Sequence, residues 1–176
     1  MGYYKGDDYM KNLYIDFDGV ILDTITPVYN LAKKLNLDVK TQTKEIGLLF
    51  SKIDWETLIE ESEELSNSIN SIKKLKYSKM FNISILTHIN SLKEAKAKIE
   101  FINNLFDDLT IIPVPKSCSK TMMTQTKDAI LVDDYSGNLR EWEKSGGIGV
   151  KYTKEKEECE FINITSLEQL LEIFKK

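Results

Sequence analysis

Acidic and hydroxyl side chains follow three apolar segments of this sequence, at the point where each segment ends. Asp16 and Asp18 follow the first segment, Thr87 follows the second, and Asp133 and Asp134 follow a later one. If these segments are parallel strands of an open sheet, their carboxyl ends meet at one edge, where ligands bind. Four carboxylates packed there without a cation would repel one another and become protonated. The pattern therefore predicts a site for Mg²⁺, which prefers carboxylate oxygens and keeps waters that a phosphate can replace.

The simplest alternative is that each acid only caps a turn or a helix. For a single aspartate at the end of a strand we would favour that interpretation. The Asp-x-Asp-Gly stretch at 16–19, taken together with the Asp-Asp pair at 133–134, instead favours one shared site.

The elements that position these side chains are predicted by the spacing of apolar residues. From residue 81 onward, short apolar runs typical of strands alternate with amphipathic helices. This alternation indicates parallel strands joined by crossover helices that cover both faces of a sheet. We therefore expect an α/β protein with a mostly parallel sheet between two helical layers. The strands are predicted at 13–15, 83–87, 109–114, 129–132, 148–150 and 161–164.

Residues 24–80 interrupt the alternation, because their apolar spacing is helical. We predict a core domain formed by 10–23 and 81–176, and a small helical cap formed by 24–80. Residues 1–9 are interpreted as a loosely held extension.

The first cap helix is predicted to begin with Thr26 as its N-cap and Pro27 at its first position. Two or three further short helices are expected between residues 37 and 80. One apolar face of the first helix is predicted to contain Val28, Leu31, Ala32 and Leu35.

Helices are also predicted between and after the later strands. A short helical segment is expected at 121–126, and the helix that follows Asp134 is expected to end at Gly146-Gly147. The last helix begins with Thr165-x-x-Glu168, which resembles a capping box. The long helix after Thr87 is predicted to have Leu92, Ala95, Ile99, Ile102 and Phe106 on one face.

Composition and charge exclude several classes of protein. The chain has 24 basic and 28 acidic residues, a net charge of −4 and no basic cluster, which argues against binding to nucleic acid. No apolar run reaches the length of a membrane span, and the first residues lack the apolar centre of a secretion signal. The single histidine, His88, excludes a centre with several histidine ligands. Cys118 and Cys159 are far apart in the sequence, so we expect free thiols and a cytoplasmic location.

Four short stretches together resemble the signatures of the haloacid dehalogenase (HAD) superfamily of phosphohydrolases. Residues 16–24 resemble the first signature, Thr87 the second, and the pair at 133–134 the fourth, with a lysine upstream of that pair as the third. The order is that of the superfamily, and the resemblance spans Asp16 to Asp134. It implies a Rossmann-like three-layer core with a cap inserted after the first strand.

A narrower resemblance concerns the end of the chain. Residues 131–135, then Asn138, Leu139, Trp142 and residues 146–150, are similar to the tail of the cytosolic 5'(3')-deoxyribonucleotidase group of that superfamily. This similarity covers about twenty residues, and the cap matches no pattern of the group.

The resemblance implies a role for each matching residue. Asp16 would be the nucleophile that forms an aspartyl-phosphate. Asp18, on the same side of an extended chain, would protonate the leaving alkoxide and later deprotonate water. Thr87 would donate its hydroxyl to a phosphoryl oxygen. His88 directly follows Thr87, and for it we favour a contribution from the backbone N–H over a side-chain contact with substrate.

The same resemblance implies a set of Mg²⁺ ligands and one cationic phosphate clamp. The ligands would be the Asp16 side chain, the Asp18 main-chain carbonyl and Asp133, with Asp134 coordinating directly or through water. Lys116 and Lys120 both follow the strand at 109–114. We favour Lys120 as the clamp, because a helix start there would aim it at the site. Asn138 could order the acidic pair, but we favour a role as the cap of the next helix.

The predicted function is Mg²⁺-dependent hydrolysis of a small phosphomonoester, with a nucleoside monophosphate as the favoured substrate. A sugar phosphate is the alternative substrate, and a catalytically idle module that binds a phosphorylated ligand or a protein is the alternative function. The cap is about fifty residues long, which favours a compact substrate. Tyr29, Phe50 and Trp55 could stack on a base, although aromatic residues on helices usually fill a core.

Overall fold

A six-stranded sheet, in which every strand pairs in parallel, forms the centre of the protein. The computed structural model describes residues 10–38 and 41–175, so the predicted extension at 1–9 lies outside the described residues. The strand order is β3-β2-β1-β4-β5-β6. The strands are β1 (Lys11–Ile15), β2 (Phe81–Ile89), β3 (Thr110–Pro115), β4 (Ile130–Asp133), β5 (Ile148–Tyr152) and β6 (Ile162–Ile164).

The central position of β1 explains why distant acids meet. Ile15 pairs with Ile85 of β2 on one side and with Val132 of β4 on the other. The residue after Ile15 is Asp16, and its backbone N–H donates to the Val132 carbonyl at 2.9 Å. The carboxyl ends of β1 and β4 therefore lie side by side.

Helices cover both faces of the sheet, as the alternation predicted. Alternate strand residues pack into two hydrophobic clusters, the larger with α4, α5 and α7 and the smaller with α6. The three-layer α/β fold is confirmed. The helices are α1 (Ile25–Lys34), α2 (Thr43–Lys52), α3 (Trp55–Glu61), α4 (Ser68–Ser78), α5 (Leu92–Leu105), α6 (Ser136–Lys144) and α7 (Leu170–Ile173).

The start of α1 differs from the prediction. The helix begins at Ile25, and the predicted N-cap Thr26 is already inside it. The Thr26 N–H donates to Asp23 Oδ1 at 3.1 Å. Asp23, which precedes the helix, therefore accepts a hydrogen bond from an N–H of the first turn that has no partner within the helix. Only Val28 and Ala32 of the predicted apolar face are buried, whereas Leu31 and Leu35 are exposed.

Helix α4 packs on the sheet, although it precedes β2 within the inserted segment. Its Ile72 and Leu75 are fully buried in the larger cluster, together with Phe81 of β2 and Leu170 of α7. The cap boundary at residue 80 stays a prediction, and the packing of α4 favours a boundary nearer to residue 67.

Three smaller differences concern helix ends. The segment expected to be helical at 121–126 forms only a 3₁₀ turn, Lys120–Met122. The last helical stretch has its capping box one residue later than predicted, between Ser166 and Gln169. Leu92 is exposed, so the apolar face of α5 begins at Ala95.

Among the described residues, no helix combines the length and the apolar character needed to cross a membrane.

Candidate active site

A tight turn directly after β1 presents the first acidic pair. The Ile21 N–H donates to the Phe17 carbonyl at 2.9 Å, and the Gly19 N–H donates to the Leu22 carbonyl at 2.8 Å. Gly19 has φ of +72°, and a Cβ at this position would overlap the Asp134 carboxylate. The turn can therefore approach the second acidic pair only because residue 19 has no side chain.

Three of the four predicted acids form a compact cluster. Asp16, Asp133 and Asp134 each offer a carboxylate oxygen, and these oxygens lie within 4.8 Å of one another. Burial raises the pKa of Asp16 to about 8, with a further rise from the neighbouring carboxylates that Lys120 partly offsets. Burial and the charge of Asp133 raise the pKa of Asp134 to about 7. A close set of hard oxygen donors, two of which have raised pKa values in the absence of a cation, fits a divalent ion such as Mg²⁺.

Of the two lysines considered for the phosphate clamp, Lys120 is the one that contacts Asp16 and Asp133. Its Nζ lies 3.0 Å from Asp16 Oδ1 and 2.7 Å from Asp133 Oδ2, and the side chain is buried. Burial opposes its charge, but Asp133 and Asp16 outweigh that effect and raise the pKa of the ammonium. Lys116, the alternative, lines the cleft above the acids.

The Asp133 carboxylate is held on both of its oxygens. Oδ1 accepts from the Tyr135 N–H at 2.8 Å, and Oδ2 accepts from Asn138 Nδ2 at 2.8 Å. Asn138 thus orders the acidic pair, and the favoured prediction that it caps α6 is wrong, because Asn138 lies inside that helix and its side chain bonds to Asp133. The main-chain carbonyl of Asp134 accepts from the Lys151 ammonium.

Asp18 occupies a different environment from the acidic cluster. Its Oδ1 accepts from Thr24 Oγ1 at 2.7 Å, and its Oδ2 lies 3.3 Å from Thr87 Oγ1 and 2.5 Å from Lys98 Nζ. The side chain is 16% exposed. Asp18 therefore sits at the edge of the site with its carboxylate fixed by donors on both oxygens.

Thr87 and His88 lie at the end of β2, as their sequence positions predicted. Thr87 is fully buried, and its hydroxyl also contacts the His88 carbonyl at 3.3 Å. The His88 ring faces the Cys118 carbonyl, with Nε2 at 3.0 Å from the oxygen. Nε2 donates this hydrogen bond, because a carbonyl oxygen only accepts, and burial, with the charges of Lys120 and Lys116, lowers the pKa of His88.

Comparison with known proteins gives matches among solved structures. No protein-family model matches the chain, and no curated protein matches it significantly. A HAD phosphatase from Thermococcus onnurineus superposes with a TM-score of 0.62 at 15% identity, covering 94% of this chain and 98% of that chain. The magnesium-bound YfnB protein of Bacillus subtilis gives 0.62 at 14% identity, with 95% and 99% covered. A HAD-superfamily hydrolase of subfamily IA from Geobacter sulfurreducens gives 0.60 at 13% identity, with 94% and 100% covered.

The chain has the fold of the HAD-superfamily hydrolases. At these identities the likeness concerns the fold alone. It agrees with the order in which the HAD-like signatures occur along the sequence.

An open cleft of about 300 Å³ lies over the acids of this HAD fold. Its floor includes Asp16, Asp18 and Asp134, and part of its wall is apolar. Helices α1 and α2 supply the apolar wall, which is formed by Ile25, Tyr29, Ile46 and Phe50. Trp55, the third aromatic residue considered from sequence, is buried and stacks on Phe50 with ring centroids 6.1 Å apart.

Two charged residues near the site were missed by the sequence analysis. Lys98 and Glu94 are buried on α5, with Lys98 Nζ 2.7 Å from Glu94 Oε1. The signal available was their position: residue 98 lies three after Ala95 and four before Ile102, on the face predicted to be apolar. A lysine there pointed to a buried charge with acidic partners.

Proposed function

We propose that this protein hydrolyses phosphomonoesters, with Asp16 as the nucleophile. The observation that carries the proposal is the environment of the Asp16 carboxylate. Both contacts that the structure gives it, from the Phe17 N–H at 2.8 Å and from Lys120 at 3.0 Å, fall on Oδ1. Asp16 lines the cleft, so Oδ2 is left to attack a phosphorus atom bound there.

Asp18 supplies the proton that the reaction needs. When Asp16 bonds to phosphorus, the bond between phosphorus and the substrate oxygen breaks, and Asp18 gives its proton to that oxygen. Asp18 then takes a proton from the water that attacks the aspartyl-phosphate, which releases phosphate and restores Asp16. Its place on the cleft floor, two residues from Asp16, supports this exchange of protons.

Asp16, Asp133 and Asp134 would hold Mg²⁺, together with the Asp18 main-chain carbonyl. When bound, the ion would neutralise charge on the carboxylates and on the phosphoryl oxygens. Lys120 holds Asp16 and Asp133 in place from the buried side of the cluster. Thr87 and the backbone N–H groups around His88 are proposed to bind phosphoryl oxygens.

The favoured substrate is a nucleoside monophosphate. Tyr29 and Phe50 on the cleft wall support this choice, because aromatic rings provide a stacking surface for a base. The segment that contains these rings, α1 to α3, is proposed to act as the cap. A sugar phosphate remains the alternative substrate, and the cytoplasmic location stays a prediction.

The substitution Asp16→Asn tests the proposal directly. It keeps the size of the side chain but removes the nucleophile, so Mg²⁺-dependent phosphate release should fall at least about a thousandfold. Asp107→Asn, at an exposed loop acid, is the matched control and should retain full activity. Release of inorganic phosphate from deoxynucleoside monophosphates and sugar phosphates is the measurement.

Unchanged turnover in Asp16→Asn would remove the assigned nucleophile. If sugar phosphates are hydrolysed as well as nucleotides, the nucleotide preference fails while the phosphatase proposal stands. Binding of phosphate esters by the unmodified protein without any hydrolysis would favour the idle binding module.

A further inference from the structure

Among the described residues, Lys98 is the most deeply buried charge that the proposed chemistry leaves without a role. Its side chain has no exposed surface. The ammonium lies 5.4 Å from the ring centroid of Phe17 and 5.1 Å from that of Trp55. A lysine enclosed in this way loses its hydration and must be compensated by close acceptors.

The acceptors around Lys98 converge on the proposed acid and base. Nζ lies 2.5 Å from Asp18 Oδ2 and 2.7 Å from Glu94 Oε1. It also donates to the His88 carbonyl at 3.0 Å and lies 3.1 Å from Thr87 Oγ1. Glu94 is one turn away on the same helix, so it alone would give Lys98 a carboxylate partner. The shorter contact instead reaches Asp18, eighty residues earlier in the chain.

Glu94 is fixed in its turn by the loop between β2 and α5. Its Oε2 accepts from the Asn90 N–H at 2.7 Å and from Asn90 Nδ2 at 3.1 Å. Glu94 is itself 1% exposed. The ammonium of Lys98 is therefore anchored from α5 and cannot move away from Asp18 without leaving Glu94 as an unpaired buried charge.

We propose that Lys98 is a positioning residue, which holds the Asp18 carboxylate in the orientation needed for proton transfer, with Glu94 as its anchor. Thr24 Oγ1 donates to Asp18 Oδ1 at 2.7 Å, whereas Lys98 donates to Oδ2, so hydrogen bonds on both oxygens fix the carboxylate. The inference rests on the proposed function, because it assigns Lys98 a role through Asp18. Small errors in the position of a proton donor reduce reaction rates strongly, so a residue that fixes Asp18 is expected to affect the rate of proton transfer.

The test compares two substrates that differ in their need for a proton. 4-Nitrophenyl phosphate releases a stable anion, whereas thymidine 5'-monophosphate or glucose 6-phosphate, whichever is hydrolysed faster, releases an alkoxide that must be protonated. Lys98→Met should lower kcat/KM for the alkyl substrate about tenfold more than for 4-nitrophenyl phosphate. Lys96→Met is the matched control on α5, where the lysine is 64% exposed, and should change neither value more than about twofold.

Loss of stability is separated from loss of positioning by a double variant. Lys98→Met leaves Glu94 unpaired, so its Tm should fall. Lys98→Met with Glu94→Gln removes both charges of the helix pair and should recover part of the Tm. The selective loss on the alkyl substrate should persist, because Asp18 still lacks Lys98. Recovery of the alkyl rate together with Tm would overturn the proposal.

Asp18→Asn distinguishes failure of this inference from failure of the proposed function. If Asp18→Asn loses activity selectively on the alkyl substrate and Lys98→Met loses it equally on both, Lys98 does not position Asp18. If Asp18→Asn itself shows no selectivity, the acid role assigned to Asp18 is wrong and the inference falls with it. A parallel selective loss in both variants supports the two assignments.

Discussion

At the scale of single residues, the close approach of the turn after β1 to the end of β4 determines which residue type fits at position 19. The turn after β1 brings Gly19 against the Asp134 carboxylate, and Gly19 also has a positive φ. The positive φ and the close contact with Asp134 would each favour glycine. A glycine at position 19 therefore lets the turn that contains Asp16 and Asp18 lie against the pair Asp133 and Asp134. The Asp-x-Asp-Gly stretch is therefore a geometric requirement of the cluster as well as a chemical one.

Gly19→Ala should cause a large loss of phosphate release and a modest loss of folding stability. The left-handed backbone costs an alanine about 1–2 kcal/mol, and the methyl group displaces Asp134 from the proposed cation site. We expect a loss of phosphate release of about a hundredfold, measured beside the Tm. Gly47→Ala is the control, because nothing lies within 4 Å of its added Cβ, and it should leave activity unchanged.

The sequence predicted the acidic residues of the site, but not the buried lysine and glutamate that lie beside them. Asp16, Asp133 and Asp134 lie together, because apolar strands and the acids that end them are visible in the sequence. Lys98 and Glu94 give a weaker signal, since a lysine on a helix is usually solvated and pairs with an i,i+4 acid at the surface. The position of Lys98 on the predicted apolar face of its helix was the feature of the sequence that pointed to its burial. The enclosure of Lys98 by Phe17 and Trp55 could not be predicted, because these two residues come from other elements.

At the scale of elements, the inserted segment divides into two parts by packing. Helix α4 buries Ile72 and Leu75 against the sheet, whereas α1 and α2 provide the cleft wall. The chain enters and leaves the outer part through adjacent segments, since the Asp23 N–H donates to the Glu63 carbonyl and the Leu65 N–H donates to the Ile21 carbonyl. Within the described residues of 24–80 the sequence predicted helices correctly, but helical spacing alone does not say which surface each helix covers.

Ile72→Ala tests whether α4 belongs to the core. Truncating this fully buried side chain should lower the free energy of unfolding by about 2–5 kcal/mol. Leu48→Ala in α2, where the leucine is exposed, should change it by less than about 0.5 kcal/mol. Urea denaturation of both variants provides the comparison. Equal effects would contradict the assignment of α4 to the core.

For the whole molecule, the acidic cluster makes stability depend on pH and on cations. Asp16 and Asp134 have pKa values of about 8 and about 7 in the folded protein, above the ordinary value of 3.8. The folded state therefore holds more protons than the unfolded state, and its stability falls as pH rises from about 4 to about 8. His88 acts in the opposite direction only near and below its ordinary pKa of 6.5.

We expect the Tm in the presence of EDTA to be several degrees lower at pH 8 than at pH 6.5. Mg²⁺ should raise the Tm more at pH 8, because at pH 6.5 it must displace protons from the same carboxylates. Thermal unfolding at both pH values, with and without the ion, measures the two effects. In Asp16→Asn with Asp134→Asn the fall in Tm between these pH values should be largely lost, since neither amide titrates. A wild-type Tm that rises from pH 6.5 to pH 8 in EDTA, or no response to Mg²⁺ at pH 8, would contradict a buried acidic cluster built for a cation.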